Sequence, residues 1–314
     1  MPVDFIDFSC KHDILIKNKD GSYTPMDEPY FESEQIAPDT WKVLSSGDYC
    51  YIIKGDGEAF ALDCGYGAGN IRKYMESVAG VPVPCVVNSH DHFDHTGCNA
   101  YFDKAYMSTA CVDYATIPFA SFEGIDFHAD EYERIGLEDG DIVPLRGREL
   151  EAIKLCDHAE SSMLYLDRKG RILFTGDEFF GMGMPMKGLG FGLKSWVDGL
   201  QKVKAVWDDF DFACGGNGVM TKEHIQRYIE VSEYAYEHRN DPVTEGPKQE
   251  ERRGGGGPKP FPDYEGHTVY DRMLPHFGDH GGAPSKRQRG NRENMRTVVL
   301  NGYKLMYDPD IAET

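Results

Sequence analysis

The stretch NSHDHFDHTGCN, residues 88–99, gathers His90, His92, Asp94 and His95 within six positions, directly after VPCVV, a short β-branched run that reads as a strand. Imidazole and carboxylate donors together suit zinc, iron or manganese. A loop rooted at a strand end can turn alternate side chains toward one point while the strand holds its base. Adjacent side chains such as Asp94 and His95 leave the chain on different sides, so one short segment can serve two neighbouring metals.

Working outward, the next donors follow the same rule. Between His95 and Asp177 only two histidines remain, His128 in an acidic loop and His158 in LCDHAES, just after another apolar run. A ligand belongs at a strand end, so His158 is preferred. Asp177, in RILFTGDEF, again follows an apolar strand, and its carboxylate can bridge two metals.

The flanking text organises around these points. TWKVLSSGDYCYIIKGDGEAFALDCGYG, from Thr40, reads as strands joined at GDG by a tight hairpin, and AGNIRKYMESVAG as a helix ending at Gly80. ELEAIKLCDHAESSMLYLDRKGRILF gives three apolar runs, the last two joined by the turn DRKG. LKSWVDGLQKVKAVW places Trp196, Leu200, Val203 and Trp207 on one helical stripe; DFACGGNG is a strand entering a glycine turn, and a helix over 221–238 follows. Sheet then helix, twice over, argues for two β-sheets packed together with helices outside.

Residues 1–34 read as an N-terminal extension packing on the core, 35–240 as the catalytic domain, and 241–260 as a Pro-, Gly- and charge-rich linker. Residues 261–314 form a C-terminal extension, in which Asn301-Gly302 between two apolar runs signals a β-hairpin that docks on the main body or on a second copy of the chain.

Against 33 Lys and Arg stand 53 Asp and Glu, a net charge of −20, which repels phosphate backbones; the expected partner is a small molecule and not a nucleic acid. No apolar segment reaches the length of a bilayer and no signal peptide opens the chain, so a cytoplasmic protein without membrane association is expected. Eight scattered cysteines read as reduced, buried thiols.

The order HxHxDH, then a lone histidine, then TGD, resembles the metallo-β-lactamase-fold superfamily, and YIIKGDGEAFALDCGYG is similar to its opening hairpin, with Asp63 in the place of a supporting acid. The resemblance covers residues 35–240 and implies an α+β, four-layer αββα sandwich with the metals in a cleft at one edge of the sheets. It also implies that His90, His92 and His158 hold a first metal, and Asp94, His95 and the bridging Asp177 a second, most naturally zinc, with iron or manganese as substitutes. The family usually completes the second site with the histidine of a GHG turn, where this chain has Gly216-Asn217-Gly218. An amide oxygen is a weaker ligand than imidazole. Either the second metal is held loosely, or it is absent, or Asn217 faces substrate as a hydrogen-bond donor.

The chemistry implied is hydrolysis of a small ester, lactone, thioester or amide by a metal-bound hydroxide, with Asp94 as the catalytic group that orients the nucleophile and shuttles a proton. The segment EFFGMGMPMKGLGFGLKSW follows Asp177. Its Phe179, Phe180, Met182, Met184 and Trp196 either wall the cleft against an apolar substrate or pack beneath a loop. Two other classes compete: a mononuclear iron oxygenase of the persulfide-dioxygenase type, using His90, His158 and Asp177, and a non-catalytic interaction protein that keeps the fold.

Overall fold

The computed structural model describes residues 31–45, 48–65, 70–113, 115, 132–179, 192–241 and 296–313, the Phe93 side chain apart, and the backbone of three further strands at 14–17, 23–25 and 268–271. In the N-terminal part, β1 (Ile14–Lys17) pairs antiparallel with β2 (Tyr23–Pro25) and parallel with Thr268–Asp271, which is β16 in chain order. The N- and C-terminal extensions therefore meet in a small sheet of their own.

The first large sheet is hydrogen-bonded in chain order: β3 (Glu32–Ala37), β4 (Thr40–Ser45), β5 (Asp48–Lys54), β6 (Ala59–Leu62), β7 (Cys85–Val87), β8 (Lys104–Ser108) and β9 (Glu133–Leu137). Tight turns keep β3 to β6 antiparallel. From β6 to β7 the chain crosses over through helix α1 (Ile71–Ala79), and β6 to β9 run parallel, as a crossover connection requires. Asn70 caps that helix by accepting a hydrogen bond from the Lys73 N–H at 2.9 Å.

The second sheet holds β10 (Ile142–Leu145), β11 (Arg148–Lys154), β12 (Met163–Asp167), β13 (Ile172–Gly176), β14 (Phe212–Gly215) and β15 (Gly218–Thr221). Helix α3 (Leu193–Ala205) makes the crossover that sets β14 parallel to β13, and α4 (Lys222–Glu237) follows β15, capped by the Thr221 hydroxyl. The buried stripe of α3 is Leu193, Trp196, Leu200 and Val203; Trp207, expected on it, falls past the helix end in a 3-10 turn and is half-buried.

Side-chain alternation turns these sheets into layers. In β5, Cys50 and Ile52 pack with Ile71 and Met75 of α1, whereas Tyr51 and Ile53 face the second sheet; in β6, Ala61 and Leu62 divide in the same way. In β12 and β13, Tyr165 and Phe174 join the inter-sheet core, while Leu164 and Leu173 pack under α3 and α4. Three cores thus separate four layers, helix, sheet, sheet and helix. This is the α+β αββα sandwich.

The Asn301-Gly302 turn, with φ values of 51° and 84°, joins β17 (Arg296–Leu300) to β18 (Tyr303–Tyr307). Leu305 and Tyr307 are buried in the core that contains α3 and α4, so the hairpin docks on this chain's own helical layer. Among the described residues, seven cysteines are free thiols, six of them buried, and no helix is long and apolar enough to cross a membrane.

Candidate metal centre

The ends of β7 and β13 and the β11–β12 connection supply the donors, and the β14–β15 turn closes against them. Beyond β7, Asn88 and Asn99 form a reciprocal amide pair (3.0 and 2.8 Å) that closes the base of the histidine loop, and the Tyr165 hydroxyl donates across the sheets to the Asn88 carbonyl at 2.8 Å. Within the loop, the short helix α2 (Phe93–Thr96) begins just after His92, and the Thr96 hydroxyl donates to the His92 carbonyl at 2.8 Å. The helical turn carries Asp94 and His95 back toward His90. All three are 1 % exposed.

His158 lies in the turn between β11 and β12, and Asp177 directly follows β13. At the end of β13, Gly176 adopts φ 53°, and a Cβ there would sit 2.5 Å from the Ser89 side chain; only glycine lets the TGD turn close against the histidine loop. A Cβ on Gly216, in the β14–β15 turn, would lie 2.3 Å from Asp177 Oδ1 and 3.2 Å from His95 Cε1. The turn is held in place by Gly216 N–H donating to the Gly176 carbonyl at 3.0 Å and Tyr49 N–H donating to the Gly216 carbonyl at 2.8 Å.

The donors converge as two overlapping sets. His90, His92 and His158 present ligand atoms within 4.8 Å of one another, and so do His90, His95 and Asp177. His158 Nε2 is 2.8 Å from His92 Nδ1 and 3.5 Å from Asp177 Oδ2; His95 Nε2 is 3.4 Å from Asp177 Oδ1 and 3.7 Å from Asp94 Oδ2. His90, expected in the first set alone, stands between the two. Asp177 reaches toward both with different oxygens.

The electrostatics favour a cation. Burial alone would drive the His95 pKa down, yet the carboxylates of Asp177, Asp63 and Asp94 hold it well above the ordinary histidine value. Three carboxylates that favour positive charge on His95 would favour a divalent ion among them in the same way. The donor set, four imidazoles and two carboxylates in a nearly dry cluster, fits zinc and also suits iron or manganese. Asp63 supports it from below, bonded to both Ser89 and His95. A group that the sequence motifs do not mark also bears on the site: Glu178, a buried carboxylate whose Oε1 accepts the backbone N–H groups of Asp157 and His158 at 3.0 and 3.1 Å. Burial pushes its pKa up to about 7. An acid placed between TGD and two phenylalanines was the available signal.

The remaining candidates are placed differently. Asn217 is exposed at the tip of the β14–β15 turn, one residue beyond the glycine that abuts Asp177. Phe179 and Trp196 are each 1 % exposed with ring centroids 5.6 Å apart, and the Trp196 indole N–H donates to the Ser232 hydroxyl at 2.9 Å. Of the two placements open to them, both side chains take the packed one, with Phe179 against Trp196 of α3 and Tyr228 of α4. Phe180, Met182 and Met184 lie outside the described residues.

Fold and site together define a metal-binding αββα sandwich, and the chain belongs to the metallo-beta-lactamase superfamily, whose family model matches residues 47–211. Among curated relatives it is 24 % identical to an acyl-coenzyme A thioesterase of Gallus gallus over 40 % of this chain and 56 % of that protein. It is 27 % identical to a "probable polyketide biosynthesis zinc-dependent hydrolase" of Bacillus velezensis over 50 % of this chain and 67 % of that one. An atrochrysone carboxyl ACP thioesterase of a Cryptosporiopsis species is 23 % identical over 56 % and 54 %. The chain thus spans little more than half the length of the two thioesterases. A solved metallo-beta-lactamase from Pontibacter korlensis superposes with a TM-score of 0.51 at 13 % identity, covering 65 % of this chain and 99 % of that one, which shows the shared fold.

Proposed function

We propose that this protein is a metal-dependent hydrolase of small acyl compounds, with thioesters the leading substrate class among esters, lactones, thioesters and amides. The observation that carries the reading is the convergence of His90, His92 and His158, and of His90, His95 and Asp177, within 4.8 Å in each set. Divalent ions bound by such sets lower the pKa of water from 15.7 to about 7 and polarise an acyl oxygen.

The chain's own residues do the rest. His90, His92 and His158 would hold one ion, with His95, Asp94 and the bridging Asp177 around the other. Asp94, buried and 3.7 Å from His95 Nε2, is positioned to orient the attacking water and to carry its proton to the leaving group. A thiolate leaving group needs that proton least, which is consistent with the thioesterases among the relatives. The oxygenase alternative would use only His90, His158 and Asp177. It leaves His92, whose Nδ1 is 2.8 Å from His158 Nε2, without a role.

The test is metal analysis of protein purified without chelators, followed by hydrolysis assays on acyl-coenzyme A thioesters, simple esters, lactones and amides. One or two zinc ions per chain with thioester turnover abolished by His158→Ala supports the proposal. One iron with oxygen consumption and no hydrolysis rejects it in favour of the oxygenase, and a full panel without turnover in zinc-loaded protein rejects catalysis.

A further inference from the structure

We propose that Glu178 is a positioning residue: its carboxylate fixes the turn that presents His158, so that Asp177-Glu178 acts as one unit setting two metal ligands from adjacent positions. The inference rests on the metal-centre reading above and adds to it a residue that the ligand motifs do not contain.

The geometry is specific. His158 sits in the connection between β11 and β12, where no strand ladder fixes its backbone. The N–H groups of Asp157 and His158 instead both donate to Glu178 Oε1, at 3.0 and 3.1 Å. Two successive amides aimed at one oxygen form an anion-binding concavity, and they satisfy Oε1 of a carboxylate that is only 1 % exposed. Further along the same turn, Ala159 N–H donates to the Ser162 hydroxyl at 3.2 Å. One carboxylate oxygen therefore holds the turn at 157 and 158.

Glu178 is itself placed by β13: its N–H donates to the Thr175 carbonyl at 3.1 Å, closing the turn in which Gly176 and Asp177 lie. Asp177 and Glu178 point to different sides of the chain. The first lies 3.5 Å from His158 Nε2 and the second accepts from His158's backbone N–H, so the residue is approached at its ring and held at its backbone. Displacing the Glu178 carboxylate would release the ring from the His92 and His90 set.

Reach and charge can be separated by substitution. Glu178→Gln keeps an acceptor oxygen at the same distance but loses the charge, whereas Glu178→Asp keeps the charge and withdraws the oxygen by one methylene. The measurement is zinc affinity of the full-length, metal-stripped protein, by competition with a chromophoric chelator, alongside thermal unfolding of each metal-stripped variant. The expected result is a roughly 10- to 100-fold loss of affinity at the tighter site in Glu178→Asp, the range seen for residues that orient metal ligands, and an affinity within about threefold of wild type in Glu178→Gln. A loss confined to Glu178→Gln would make charge the operative property and overturn the proposal, as would wild-type affinity in Glu178→Asp or equal losses in both variants. Wild-type protein that binds no zinc, iron or manganese overturns the metal-centre reading itself, and this inference with it.

Discussion

Asp63 Oδ2 lies 2.8 Å from His95 Nδ1, and the same carboxylate accepts hydrogen bonds from the backbone N–H and the hydroxyl of Ser89, both at 2.7 Å. One buried acid, held at φ 57° just past β6, thus ties both ends of the histidine loop together. In the neutral, metal-binding form of His95 this bond would place the ring proton on Nδ1, leaving Nε2 to face Asp177 and Asp94. Asp63→Asn, which presents an amide where an acceptor is needed, should lower zinc affinity by roughly 10- to 100-fold, the usual effect of removing a ligand's orienting partner. A competition titration checks this; affinity unchanged from wild type would mean that His95 is oriented by other groups.

The turn carrying Asn217 gives a pair of opposed predictions. Gly216→Ala places a methyl group 2.3 Å from Asp177 Oδ1, inside any allowed contact, and should strip metal from the second position by pushing the carboxylate away. Asn217→His supplies an imidazole one residue further on and should tighten the second equivalent of zinc while leaving the first unchanged. Isothermal titration resolving the two equivalents is the decisive measurement. A second equivalent that ignores Asn217→His would place residue 217 outside the ligand shell.

Much of this site is legible in the chain because its donors sit at or near the ends of strands, where short continuous apolar runs such as CVV and ILF give way to polar residues and glycine. His90, Asp94, His95, His158 and Asp177 could be read from that rule. Trp196 falls on the apolar stripe of its helix, but whether it and Phe179 wall a cleft or pack beneath a loop could not be read, since aromatic residues beside a glycine-rich segment fit either, and the packing of α3 on α4 decides. Glu178 escaped because its role depends on two backbone amides twenty residues upstream in sequence, a pairing with no local pattern. The parallel pairing of Ile14 with Thr268 is likewise invisible in composition.

Lys202 and Asp139 offer a pH-dependent test at the surface. Burial works to raise the Asp139 pKa, but the Lys202 ammonium at 2.9 Å, with the Lys154 N–H and the Lys154 charge, holds it below the ordinary carboxylate value of 3.8. A depressed folded-state pKa contributes stability above pH 3.8 that fades as pH falls through the folded value. With about half of each side chain exposed, the contribution should stay below about 1 kcal/mol. Asp139→Asn should therefore lower the urea midpoint slightly at pH 7, and the gap from wild type should narrow toward pH 3.5. A gap that widens as pH falls would contradict the assignment.

The largest stability effect should come from Arg148, buried between the sheets. Its Nε donates to Asp167 Oδ2 at 2.7 Å, its Nη1 to the carbonyls of Asp39 and Lys54 at 3.0 and 3.3 Å, and its Nη2 to the Thr40 hydroxyl at 2.8 Å. Arg148 belongs to β11 and Asp167 to β12, whereas Thr40 and Lys54 belong to the first sheet and Asp39 to its β3–β4 turn; one guanidinium therefore spans the sandwich. Asp167 is fully buried. Arg148→Met should cost about 3–5 kcal/mol, because it strands that carboxylate in the interior, and adding Asp167→Leu should recover part of the loss. Equilibrium urea unfolding of the two variants tests both statements. The clamp grips Lys54, at the opposite end of β5 from Tyr49, whose N–H donates to the Gly216 carbonyl beside the metal set. Folded Arg148→Met should consequently bind zinc as wild type does. A loss below about 1 kcal/mol, or zinc affinity that falls in step with stability, would show that Arg148 does not act as an independent clamp between the sheets.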